Sequence, residues 1–392
     1  MHWTSCLSTA PDASAAVDQV AEEVTDRLGA APDLAFVFAS RHYRASFDDL
    51  APRLADALGR APLIGCGAGG VIGSGREVEE TPGLAVVAAH LHGVAVAPFH
   101  FEPQGVPPPG TATATWDARL GLPDASAPHF IIMPDPFTCR VGDFVQAMDE
   151  AYPQACIVGG MPSGGAQAGD NAMFLGNRLH GSGVVGVALS GNLVIDTVVA
   201  QGCRPVGAPM FVTRGGGNVI AELDGRAPSE VLQDLYSQAS ARDQKLMRSA
   251  LHIGVVMRES QEVYRQGDFL IRNIIALDGR TGSVGVATAI EPGQVVQFHI
   301  RDAETSAEDL DRLLVAHDEG SEPAGALLFS CLGRGENLYG EPDHDTKAFA
   351  RRFGSVPVGG FFCGGEIGPV AGQTHLHGYT SVFAMFRRRR AD

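Results

Sequence analysis

The sequence is poor in the features that would tie it to a nucleic acid, a membrane or an oxidising compartment. Lys and Arg number 29 against 45 Asp and Glu, so the 392-residue chain carries a formal net charge of −16. That balance argues against a nucleic-acid surface and against binding to acidic membranes. No apolar run approaches the length of a membrane span. The seven cysteines (Cys6, Cys66, Cys139, Cys156, Cys203, Cys331, Cys363) are an odd number without a Cys-x-x-Cys pair. This speaks against a zinc ribbon and a secreted disulfide framework, and for a reducing compartment. The N-terminal stretch lacks the basic start and apolar block of a signal peptide. Together these absences predict a cytoplasmic protein.

Glycine, by contrast, is abundant at 49 residues and clusters where apolar runs end. Three stretches share one shape: Leu63-Ile64-Gly65-Cys66-Gly67-Ala68-Gly69-Gly70, Ile157-Val158-Gly159-Gly160-Met161-Pro162-Ser163-Gly164-Gly165 and Val356-Pro357-Val358-Gly359-Gly360-Phe361-Phe362-Cys363-Gly364-Gly365. In each, an apolar strand carries an early glycine (Gly65, Gly159, Gly359) shortly before a Gly-Gly pair, which points to one repeated structural unit. None contains the Lys-Ser/Thr ending of a nucleotide P-loop. The glycines fit two roles, an anion-binding set of backbone N–H groups or close packing between repeats.

Around each motif the order of elements recurs. Helical spacing is clear over Ala13 to Leu28, closed by Gly29, and over Phe47 to Leu58. Strand runs occupy Leu34 to Ala39, Phe130 to Met133 and Ala326 to Phe329, and helices fit Val141 to Ala151 and Asp345 to Phe353. Gly83–Ala89 with Val94–Ala97, and Gly183–Leu189 with Leu193–Ile195, read as hairpins after the motifs, and Tyr379 to Phe386 as a closing strand. The fold class expected is therefore mixed α/β (α+β), with related domains built from strand–helix–strand–hairpin units, mixed sheets and helices on one face. Residues 205–320 fit the unit less well: a helix from Pro228 to Tyr236, strands at Ile253–Val256 and Phe269–Leu277, a hairpin from Val284 to Ile300, and a helix from Ser306 to Val315. The break at Arg214-Gly215-Gly216-Gly217 places a boundary near residue 220. The expected division is an N-terminal helix at 1–32, domains at 33–220 and 221–386, and a solvated basic tail at 387–392.

Chemistry concentrates between the last strand and the last glycine motif. Ser330-Cys331-Leu332-Gly333-Arg334-Gly335 puts a thiol and a guanidinium at a strand end, where α/β sites commonly sit. Arg334 suits a carboxylate, with Gly333 and Gly335 allowing close approach. Cys331 beside that cation is a reactive thiol or a small buried hydrophobe. Asp343-His344-Asp345 reads as a helix cap with His344 as a ligand contact. Glu366, just past Gly364 and Gly365, is placed to receive an ammonium group. There is no Gly-x-Ser-x-Gly elbow and no His-Glu-x-x-His, so no motif requires catalysis or a metal. A thiol enzyme using Cys331 and His344 remains an alternative.

These segments, with Arg76-Glu77-Val78-Glu79 after the first motif, resemble the FIST family, which pairs an N-terminal and a C-terminal FIST domain; the likeness runs from about Asp33 to Phe386. The resemblance implies a signal-transduction sensor binding a small ligand, with amino acids proposed. Some bacterial relatives are haem proteins that sense nitric oxide beside histidine kinases, so haem is the alternative cofactor and a separate histidine kinase the implied partner. Eukaryotic relatives carry an F-box; the short N-terminal helix here implies none.

Overall fold

A computed structural model describes residues 1–123, 127–258, 261, 263–317 and 322–389. The chain forms two compact units: Met1–Val199, Arg312–Leu376 and Thr380–Asp392 make the first, Ala200–Asp311 with His377–Tyr379 the second. Compaction divides the chain after Val199 and again after Asp311. The segment after Asp311 returns to the first unit.

The first unit contains three six-stranded sheets with one shared plan. Across the first sheet lie His2–Ser8, Leu84–His90, Leu34–Ser40, Leu63–Ala68, Met173–Leu175 and Arg178–His180. The second runs Val94–Phe101, Val184–Gly191, His129–Pro134, Ile157–Gly160, Glu366–Val370 and Gln373–His377. The third runs Val194–Gln201, Thr380–Arg387, Gly325–Cys331, Val358–Cys363, Val71–Gly73 and Arg76–Val78. In each, the strand before and the strand bearing the glycine motif form the parallel pair that the strand–helix–strand reading predicts.

The hairpins fall elsewhere than expected. Leu84–His90 and Val94–Phe101 enter different sheets, as do Val184–Gly191 and Val194–Gln201. Each of these strands finds its hydrogen bonds in its own repeat, with Leu84–His90 pairing His2–Ser8 and Leu34–Ser40. The true hairpins follow the glycine motifs directly and are donated to a neighbouring repeat. Val71–Gly73 pairs with Val358–Cys363, Met173–Leu175 with Leu63–Ala68, and Glu366–Val370 with Ile157–Gly160. The three repeats are closed in a ring by exchange.

The inner faces of the three sheets share one core, where Phe36, Phe38, Ile131, Met133, Phe329 and Phe361 are fully buried. Phe361 links two repeats by stacking on Phe38 at 5.1 Å and meeting Phe329 edge-on at 5.8 Å. Helices cover the outer faces. Ala13–Leu28 is capped by Asp12 and ends at Gly29, whose φ of 74° needs a residue without a Cβ. It buries Val17, Val20, Val24 and Leu28 with the Phe47–Ala57 helix against the first sheet, and Val141–Ala151 covers the second in the same way.

Two further expectations change. Arg387 is no solvated terminus: it ends the strand Thr380–Arg387 and pairs with Asp196, Nη2 to Oδ1 at 3.2 Å. Arg390 and the last two residues of that tail lie outside the described residues. The second unit is a closed barrel in the order Cys203–Gly216, Val219–Leu223, Val284–Val286, Phe269–Leu277, Leu251–Val256 and Val295–Arg301. Within it Val284–Val286 and Val295–Arg301 pair with other strands, so the hairpin read from Val284 to Ile300 does not form. Among the described residues, no helix is long and apolar enough to cross a membrane.

Candidate functional site

The three glycine motifs meet one another. Gly69 N–H donates to Ser163 Oγ at 2.9 Å, Ser163 Oγ–H donates to the Phe362 carbonyl at 2.5 Å, and Phe362 N–H donates to the Gly70 carbonyl at 3.0 Å. Gly364 N–H donates to Met161 O at 3.0 Å, and Met161 N–H to Gly365 O at 2.9 Å. Each motif is therefore bonded to the next, and these N–H groups are spent inside the protein. Contact is tight: a Cβ on Gly160 would lie 2.2 Å from Cys363 Sγ. Close packing between repeats is what these glycines permit here. The structure also moves the third alignment by one residue. A Cβ would strike the parallel neighbour's carbonyl at Gly65 (1.7 Å from Val37 O), Gly159 (1.9 Å from Ile132 O) and Gly360 (1.8 Å from Leu328 O), so Gly360 rather than Gly359 is equivalent to the other two.

In the third repeat, the chain leaving Gly325–Cys331 carries Arg334 into the interior, where it is fully buried. Its Nε donates to Asp345 Oδ2 at 2.9 Å and its Nη2 to Asp345 Oδ1 at 3.0 Å, with Nη2 also donating to Tyr339 OH at 2.6 Å. Asp345 sits in the first turn of the helix His344–Phe353 and accepts further bonds from Ser330 Oγ (3.2 Å) and Ser381 Oγ. His344 Nδ1 lies 3.0 Å from Asp345 Oδ1, and its ring stacks on Tyr339 at 3.5 Å. Burial works against both charges. The Asp345 carboxylate outweighs it and raises the Arg334 pKa, while Arg334, aided by bonds from His344 and Ser381, holds Asp345 well below the usual carboxylate range.

Glu366 opens the strand Glu366–Val370 and is fully buried. Its Oε2 accepts the Thr380 N–H at 3.1 Å, whereas Oε1 has no geometrically sound hydrogen-bond partner among the described residues. Burial pushes its carboxyl up to about 8, although Thr380 N–H, Arg334 and a bond from the Cys331 thiol all pull it down.

The hairpin donated from the first repeat adds two more acids. Glu77 Oε1 accepts Thr346 N–H at 2.8 Å, and its Oε2 is buried without a partner among the described residues. Burial, reinforced by Asp345, pushes this carboxyl up to about 8. Glu79 Oε1 accepts Glu336 N–H at 2.8 Å. Gly335, at φ 63°, lies against that carboxylate, which a Cβ would meet at 2.3 Å.

The structure brings most of the sequence candidates into one neighbourhood. Cys331 and Gly333 are half-buried, Gly335 and Gly365 are buried, and Gly364 is exposed. Asp343 stands at the helix N-cap position, with φ 64°. Its side chain makes no cap bond there, and Oδ1 instead accepts Glu77 N–H at 2.7 Å. Sequence reasoning left Glu77, Glu79, Tyr339 and Ser381 without a chemical role. The run Arg76-Glu77-Val78-Glu79 was visible, but nothing local tells that its hairpin crosses to another repeat.

The arrangement defines a mixed α/β protein of three interleaved repeats with a buried ionic cluster at the strand ends of the third. The FIST N domain matches residues 33–226 and the FIST C domain residues 228–369, so the chain belongs to the FIST family. Domains of this family are associated with sensory and signalling roles. An uncharacterized protein of Mycobacterium tuberculosis is 37% identical over 386 residues, covering 97% of this chain and 98% of its own. One from Mycobacterium bovis is 35% identical over 385 residues, covering 97% of each. An F-box/LRR-repeat protein of Arabidopsis thaliana is 31% identical over 112 residues, 24% of this chain and 21% of that protein.

Proposed function

We propose that this chain is a cytoplasmic sensory protein that binds a small molecule, an amino acid, at the strand ends of the third repeat, where Glu366 takes the ligand's ammonium group. The observation that carries this reading is the buried Glu366 carboxyl, whose Oε1 has no hydrogen-bond partner among the described residues. A buried acceptor left unpaired costs free energy that a charged donor would recover. Arg334 supports the site from behind, since its guanidinium is engaged by Asp345 and Tyr339. A separate signalling protein, such as a histidine kinase, is the partner that this reading calls for.

A thermal-shift and calorimetric screen of the common amino acids tests it on wild type and Glu366→Gln. At least one amino acid raises the wild-type Tm, and the variant folds but loses that shift. If none shifts the wild type, or the variant responds equally, the assignment fails.

A haem sensor is the second reading, favoured by His299. This barrel residue is fully buried, and its Nε2 has no hydrogen-bond partner among the described residues, as an axial ligand's would. Its ring lies 5.1 Å from Phe269. Haem reconstitution then gives a shifted Soret band that His299→Ala removes; an unshifted band rules haem out.

A further inference from the structure

Away from the ionic cluster, the first unit holds a second group of polar side chains. His100 lies in the strand Val94–Phe101, Glu102 follows it directly, and His180 ends the hairpin strand Arg178–His180. One ligand-capable atom from each lies within 4.8 Å of the other two.

Two stacked neutral histidines beside a surface carboxylate would be unremarkable, and the ring centroids are indeed 3.9 Å apart. The hydrogen bonds say more. His100 Nε2 is 2.9 Å from the Ser182 carbonyl, which can only accept, so Nε2 carries a proton and, in the neutral ring, Nδ1 holds the lone pair. That Nδ1 faces Glu102 Oε1 at 3.8 Å. Ser182 Oγ donates to Glu102 Oε2 at 3.2 Å, fixing the carboxylate from behind. His180 Nε2 is buried with no hydrogen-bond partner among the described residues. A backbone carbonyl orienting one imidazole and a hydroxyl orienting the carboxylate are the outer contacts that metal ligands typically have.

We propose that His100, Glu102 and His180 form a binding site for a divalent transition-metal ion of the zinc class, with three protein ligands and an open fourth position. Two imidazoles and one carboxylate are a known zinc donor set, and bonds of about 2.0–2.1 Å would place tetrahedral ligand atoms roughly 3.3 Å apart. The observed 3.8 Å between His100 Nδ1 and Glu102 Oε1 needs only a small closure. Arg178, on the same strand, is the nearby charge that opposes a cation. The ion would tie the donated hairpin of the first sheet to an edge strand of the second.

The test uses the full chain stripped of metal by a chelator. Zn²⁺ is titrated by calorimetry, and Co²⁺ by its visible d–d absorption. Wild type binds about one ion per chain, and its Tm rises. His100→Ala and His180→Ala each weaken binding about tenfold or more. Glu102→Gln, a change at an exposed side chain that should leave folding intact, also weakens it. Absence of binding by wild type overturns the proposal. So does unchanged stoichiometry and affinity in Glu102→Gln and in the double histidine variant, which would place the ion elsewhere.

Discussion

Arg334 and Asp345 form a two-point ion pair from which water is excluded: Nε to Oδ2 is 2.9 Å, Nη2 to Oδ1 is 3.0 Å, and neither side chain exposes more than 1% of its surface. Buried charges are tolerated only when their hydrogen-bonding capacity is met, and Tyr339, Ser330, Ser381 and His344 supply the remaining bonds. Removing one partner leaves the other charge stranded. Arg334→Met and Asp345→Asn should each cost about 3–5 kcal/mol in urea unfolding. The pair also sets an acid limit. The folded Asp345 pKa lies below its unfolded value of about 3.9, so its contribution is complete above that value and is lost as pH falls below it. A loss under about 1 kcal/mol in either variant would show that the pair is open to solvent.

Glu366 has the opposite sign. Its folded pKa is about 8, against roughly 4.3 when unfolded, so between these values the folded state binds the extra proton. Stability is then greatest below about pH 4.3 as far as this group is concerned, and falls as pH rises towards 8, by at most about 1.4 kcal/mol per pH unit. Glu77, also raised to about 8, contributes in the same window. Glu366→Gln keeps the shape but not the proton, so its unfolding free energy should decline less steeply between pH 5 and 8, roughly, than that of wild type. An ammonium ligand would favour the carboxylate, so binding below pH 8 should release a proton, visible as a buffer-dependent calorimetric enthalpy. Parallel stability profiles for wild type and variant would mean that Glu366 is already ionised.

The difference between these two acids was not legible in the sequence, although both flank the last glycine motif. Asp345 faces Arg334 eleven residues away, a local pairing compatible with the helix-start pattern read there. Glu366 owes its raised pKa to burial, which depends on how the repeats close. The same holds for the fold. Periodicity identified the helix Ala13–Leu28 to its Gly29 stop, and the glycine motifs identified the repeats. It did not show that each hairpin pairs with a neighbour, because a strand's alternation specifies which face is buried and not whose edge it joins. Glu77 therefore reaches Thr346 across 269 positions, a contact no local pattern contains.

The repeat itself makes the most demanding prediction, because three distant positions should behave alike. At Gly65, Gly159 and Gly360 an added Cβ would lie 1.7, 1.9 and 1.8 Å from the carbonyl oxygen of the paired residue on the parallel strand. Those pairs are Val37–Gly65, Ile132–Gly159 and Leu328–Gly360. The obstacle is backbone inside a sheet buried on both faces, so no side chain can swing away to relieve it. Alanine at each position should destabilise the protein by about 3 kcal/mol or more, measured by urea unfolding of the three single variants. Gly142 provides the contrast. It lies in the helix Val141–Ala151 with nothing within 4 Å of an added Cβ. There alanine should be neutral or stabilising by up to about 1 kcal/mol, because it restricts the unfolded chain and favours the helix. If any of the three sheet glycines accepted alanine as readily as Gly142 does, that repeat would not share the close strand approach of the other two.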